Sequence, residues 1–140
     1  MLKTNLLHPE ILSALGSNGH GSKLLISDGN YPFTTGVPEK AKKVFLNLSP
    51  GMLTVPDVLK VIKDAVPVES YLIMLPPDGT PQAIHDEFQD ILGKETPVTK
   101  VKRFDFYKEA RSEDTFMVIA TGEMRRFANI LLTVGVVKFG

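Results

Sequence analysis

The chain has 140 residues, 43% of them hydrophobic and 23% charged, and its 16 basic side chains balance its 16 acidic ones for a formal net charge of zero. This is the composition of an ordinary globular protein of one domain, residues 1–140, long enough to bury roughly 68% of its unfolded surface. The neutral balance argues against nucleic acid as a partner, and the lack of cysteine excludes disulfides and thiolate metal sites.

From the N-terminus, MLKTNLLHPEILSAL lacks the basic start and long apolar run of a signal peptide, and its spacing reads as helical. No segment reaches the about 20 apolar residues needed to span a bilayer, so the expectation is a cytoplasmic chain with no membrane partner. His8, Pro9 and Glu10 predict a helix start, and Gly16 to Gly19 its end. Lys23 to Ser27 reads as a strand buried on both faces, and Asp28, Gly29, Asn30 and Pro32 as a turn followed by a loop over 33–43. Val44 to Leu48 is a second expected strand. Thr54 to Ala65 carries the clearest helical stripe, through Val55, Val58, Leu59 and Ile62. Tyr71 to Leu75 predicts a strand and Gln82 to Leu92 an amphipathic helix. A short strand over 99–103, one or two helical turns over 105–112, and two closing strands, Phe116 to Thr121 and Ile130 to Val137, complete the chain. The alternation predicts an α/β fold: a single layered domain with a mixed β-sheet flanked by helices. The last strand is apolar almost to the chain end, so it either sits mid-sheet or is covered by a neighbouring subunit.

The chemistry begins at GHGSKLLISDGNYP, residues 19–32. His20 lies between two glycines, and Asp28 stands where the apolar strand runs out. A carboxylate that accepts from one imidazole nitrogen sets the tautomer, leaving the other to exchange a proton near neutral pH. The alternative is a glycine-rich turn in which both residues only cap backbone groups.

Three motifs together resemble one family. NGHGSKLLISDGNYP is similar to the glycine-flanked histidine turn, strand and S-D-x-x-F-P of the fucose mutarotase and ribose pyranase family. RFDFYKEA, residues 103–110, resembles R-F-x-F-Y-x-x-A of its fucose branch, and TGEMRRFANILLTVGVV, residues 121–137, resembles T-G-E-x-x-x-Y-x-N-x-x-L-x-x-G-V. The resemblance implies a mutarotase that interconverts the ring forms of a free sugar such as L-fucose by acid/base-assisted opening and reclosure, with no metal and no organic cofactor. It also implies a homo-oligomer, commonly a decamer ring, with sugar sites near subunit borders.

Carried residue by residue, it implies His20 as the proton-transfer group, with Asp28 orienting it or binding a hydroxyl. Arg103 and Asn129 would hold sugar hydroxyls, and Tyr31 would form an apolar wall, with Tyr107 and Glu123 as further members of the site; the alternative for Glu123, beside Gly122, is that it only caps a turn. At Phe127 the family pattern has tyrosine; the ring is kept and the hydroxyl lost. Tyr31 or Tyr107 would then substitute, or activity would be weakened. That leaves two alternatives, a D-ribose pyranase and a sugar-binding ring protein with lapsed catalysis. His8 and His85 are expected to take no direct part, and histidines so scattered make a zinc site improbable.

Overall fold

The computed structural model describes residues 1–139. It contains four helices and six strands: α1 (Pro9–Gly16), β1 (Lys23–Ser27), β2 (Lys42–Phe45), α2 (Val55–Ala65), β3 (Val68–Leu75), α3 (Ala83–Leu92), β4 (Val98–Lys102), α4 (Arg103–Ala110), β5 (Thr115–Ala120) and β6 (Ile130–Val134). The strands form one mixed sheet in the order β2-β5-β1-β6-β3-β4. β1, β2 and β5 pair in parallel, as do β3 and β4, whereas β6 runs antiparallel to β1 and β3 on either side of it. Five strands therefore share one direction and β6 opposes them.

The apolar runs in β1, β5 and β6 follow from burial on both faces. Leu24, Ile26, Met117, Ile119, Ile130 and Leu132 turn to the face covered by α2 and α3, where Leu59, Ile62 and Phe88 meet them. Leu25, Val118 and Leu131 turn to the other, under Phe106 and Ala110 of α4 and the segment around Tyr31. The alternation is the period of two of a strand, and it needs apolar side chains at every position when both faces are dry. Each of these side chains contributes roughly 1.5–3 kcal/mol on burial. Helix α2 starts on a capping box, in which the Thr54 hydroxyl accepts from Asp57 N–H and the Asp57 carboxylate accepts from Thr54 N–H.

The mixed α/β sheet stands as expected, with corrections at element ends. The second strand is Lys42–Phe45 rather than Val44 to Leu48, because parallel pairing with β5 brings Lys42 opposite Met117. β3 starts earlier, at Val68, where it meets the end of β6. β6 ends at Val134 rather than Val137, and of the two readings offered for its apolar sequence the mid-sheet one holds. His8 acts locally, where its Nδ1 accepts the Ile11 N–H and caps α1.

Candidate active site

The topology sorts the chemistry-bearing residues onto two opposite edges of the sheet. At one edge lie the carboxyl ends of β1, β3 and β4 together with the amino end of β6, which delivers Asp28, Met74, Arg103 and Asn129 to one place. At the other lie His20, ahead of β1, and Glu69, at the start of β3.

At the first edge, Asp28 and Asn129 are 101 residues apart in sequence and are joined twice: Asp28 N–H donates to Asn129 Oδ1 at 2.8 Å, and Asn129 Nδ2 donates to Asp28 Oδ2 at 3.2 Å. Asn30 N–H donates to Asp28 Oδ1 at 3.0 Å, closing an Asx turn that holds the carboxylate in place. Both Asp28 and Asn129 are 3% exposed. Burial pushes the Asp28 carboxyl above its ordinary 3.8, and the backbone donors around it pull the other way. The group thus takes a proton more readily than a surface aspartate.

These residues line a pocket with Tyr31, Arg103, Tyr107 and Phe127, and Asn30, Met74 and Arg126 complete its wall. The Tyr31 hydroxyl donates to Gly36 O at 2.7 Å, and burial raises its pKa. Tyr31 therefore offers the pocket an apolar surface, and its hydroxyl is committed to Gly36 rather than free to replace the one missing at Phe127. Tyr107 packs edge-on against it, with ring centroids 5.3 Å apart, and is the other phenol on the pocket. Arg103 opens α4 and Arg126 lies over the Phe127 ring, its guanidinium 5.4 Å from the centroid. Forked guanidinium donors, a carboxylate and an amide at the edge of an aromatic wall match the hydroxyls and apolar face of a small sugar.

Two sequence expectations need correction. His20 and Asp28 do not meet within one chain: β1 lies between them, and a strand of that length separates its ends by about 15 Å. His20 instead contacts Glu69, Nε2 to Oε1 at 2.6 Å, with its side chain 60% exposed. Gly21, at φ 86°, turns the chain there as only glycine does easily, and its N–H donates to Val134 O. The imidazole–carboxylate pairing read from the sequence is present with a different carboxylate.

Glu123 also stands apart from the pocket wall. Its carboxylate accepts from Val55 N–H at the start of α2, from Arg125 N–H, and from the Arg125 guanidinium at two oxygens. Burial works to raise its pKa, and Arg125 with the backbone donors outweighs this, so the carboxyl sits below its ordinary 4.5. It braces the 122–129 loop against α2. Gly29 closes on the same loop: its N–H donates to Glu123 O at 2.9 Å, and a Cβ there would lie 3.2 Å from that oxygen.

The sequence points to no site role for Met74, Arg126 or Glu69, and to Asn30 only as a turn residue. Arg126 adjoins Phe127 inside a recognised motif and could have been found there. Glu69 had no local signal, because only the sheet register brings β3 beside the His20 turn. His85, expected to be idle, contacts the backbone of Phe127. Among the described residues, no helix is long and apolar enough to cross a membrane, and no cluster of three histidine or carboxylate side chains could hold a metal.

Known proteins share this architecture. The structure of Bacillus subtilis RbsD complexed with D-ribose superposes with a TM-score of 0.85 at 26% identity, covering 99% of this chain and 100% of that one. The fucose mutarotase of Streptococcus pneumoniae in complex with L-fucose gives a TM-score of 0.82 at 25% identity, over 98% of this chain and 100% of that one. In sequence, the fucose mutarotase of Danio rerio is 30% identical over 145 aligned positions, covering 95% of this chain and 91% of its own length. The Mus musculus fucose mutarotase is 28% identical, covering 96% and 93%. With a match that runs over residues 1–137, the chain belongs to the RbsD / FucU transport protein family.

Proposed function

We propose that this protein is a monosaccharide mutarotase, an isomerase that interconverts the ring forms of a free sugar such as L-fucose. The observation that carries this is the Asp28–Asn129 pair, buried and doubly hydrogen-bonded at the base of a pocket that Arg103 and Tyr107 also line. The relatives named as fucose mutarotases, and the neighbours holding L-fucose or D-ribose, support a sugar in that pocket.

Mutarotation is a proton exchange at two oxygens. A base takes the anomeric hydroxyl proton while an acid protonates the ring oxygen, the C1–ring-oxygen bond breaks, and the open aldehyde recloses on either face. Positioned acid/base groups supply about 10² to 10⁴ in rate for such steps. In this reading Asp28, Asn129 and Arg103 hold the sugar hydroxyls, and His20, set by Glu69, moves the proton. His20 lies at the far edge of its own chain, exposed, so the dyad serves the pocket of a neighbouring copy, and the working unit is a homo-oligomer, a decamer ring. The exposed Phe45, Leu48, Met52, Leu53 and Met124 supply apolar surface for such an assembly.

The second reading, sugar binding with lapsed catalysis, draws on the loss of the hydroxyl at Phe127 and the commitment of the Tyr31 hydroxyl to Gly36. Saturation-transfer NMR on a panel of free monosaccharides separates the two. Accelerated exchange between anomers is the expected result; bound sugar with exchange at the uncatalysed rate selects the binding protein, and no interaction with any sugar refutes both. Exchange confined to ribose ring forms selects the pyranase.

A further inference from the structure

We infer that His85 is a positioning residue for this site: its imidazole holds the carbonyl of Phe127 and thereby fixes the turn from which Arg126, Phe127 and Asn129 reach the pocket. The inference rests on the reading of that pocket as a sugar site.

Phe127 has φ 59°, the left-handed region that an L side chain seldom occupies and a bulky aromatic one enters only with support. The support is visible. His85 Nε2 lies 3.0 Å from Phe127 O, and a carbonyl only accepts, so Nε2 carries the hydrogen. Burial lowers the His85 pKa, which favours the neutral ring with Nδ1 bare at neutral pH. The imidazole is seated on α3 beside the fully buried Phe88, at 6.2 Å between ring centroids. The same helix takes a second hold on the loop through the Glu87–Arg125 ion pair, and Glu123 ties Arg125 on to α2. The wall of the pocket is thus gripped from behind by α3, with His85 at Phe127, whose backbone lies in the left-handed region. In the sequence His85 looked idle because its partner is a main-chain oxygen 42 residues away.

The test compares H85L, which removes the donor, with H85Q, which keeps an N–H donor on the side chain, each alone and in a Phe127→Gly background. Glycine adopts the left-handed conformation without help. For the sugar whose exchange the wild type accelerates, H85L is expected to lower kcat/KM about tenfold, the scale of one buried hydrogen bond, and H85Q to stay within about threefold of wild type. In the Phe127→Gly background the loss on His85→Leu is expected to shrink below about threefold, a coupling that a purely structural role would not produce. The ¹⁵N spectrum of His85 should show a protonated Nε2 and a bare Nδ1. If the leucine variant does not fold, the glutamine variant and the spectrum still decide. Wild-type kinetics in H85L, an equal loss in both backgrounds, a glutamine variant with a tenfold loss of its own, or an unprotonated Nε2 would each overturn the inference while leaving the mutarotase reading intact. If the wild type binds a sugar without exchange, Kd replaces kcat/KM in every comparison; if it does neither, the pocket reading and this inference fall together.

Discussion

Replacing Asn129 with alanine removes both side-chain bonds from Asn129 to Asp28, and it leaves the Asp28 N–H and carboxylate oxygen Oδ2 without those partners. Asp28 is 3% exposed, so water reaches neither group freely. A buried polar group left unmatched costs about 1–3 kcal/mol, so the two put the variant about 2–6 kcal/mol below the parent. At about 4 °C per kcal/mol for a chain of this size, the melting temperature should fall by roughly 8–24 °C, read at one fixed protein concentration because the proposed assembly would shift it. Activity should fall further than stability accounts for, with kcat/KM down by about 10²-fold at a temperature where the variant is fully folded, because the side chain that orients Asp28 is also, in the proposed reading, one that faces the sugar. Anomer exchange by NMR and thermal melting on the same samples give both numbers. A melting temperature within about 2 °C of the parent would refute the energetic argument, since two unmatched buried groups cannot cost so little. Unchanged exchange would remove Asn129 from the site.

If His20 acts on the pocket of a neighbouring copy, H20A and D28N should each lose at least about 10²-fold in exchange rate, and dissociating and mixing them should restore roughly a quarter of the sites, those with both residues intact. No recovery on mixing, with assemblies confirmed as mixed, would place both residues in one chain's site. Phe127→Tyr is expected to raise the exchange rate by up to about tenfold by returning a hydroxyl to the pocket, and an unchanged rate means that hydroxyl is irrelevant here. The two buried carboxyls predict opposite pH behaviour. Glu123 is held below its ordinary 4.5, so its contribution to stability is present above that value and lost as pH falls through the folded pKa; the deficit of E123Q should therefore shrink on acidification. Asp28 is raised above 3.8, so its contribution is full below that value and lost as pH rises through the folded pKa. D28N should lose less stability at neutral pH than at pH 3, and a loss that grows with pH would contradict the direction of the shift. An acid limb of the rate profile due to Asp28 should likewise lie above 3.8 and vanish in D28N.

Much of this protein was legible before any fold was known. Helix α2 announced itself through its apolar stripe, and β1 through an unbroken apolar run, because these signals are written over a few neighbouring residues. The motifs around Asp28, Arg103 and Asn129 pointed to one site, and the three do line one pocket. The partners of His20, Glu123 and His85 were not legible. The sequence offers His20 only Asp28 across β1 and offers His85 no partner, whereas Glu69 and Phe127 O reach them from elsewhere in the chain; Glu123 finds Arg125 two residues on, and Val55 N–H only through the fold.

By itself, then, the amino-acid sequence determined the local elements, the neutral surface balance and the set of side chains available for chemistry, since these depend on near neighbours and on composition. Only the tertiary structure decided which edge of the sheet each of them occupies. Inserting β6 antiparallel between β1 and β3 brings Asn129 to Asp28 and Glu69 to His20, while the length of β1 holds the two pairs apart. Strand order and direction are settled by burial summed over the whole sheet, a quantity no short window of sequence contains.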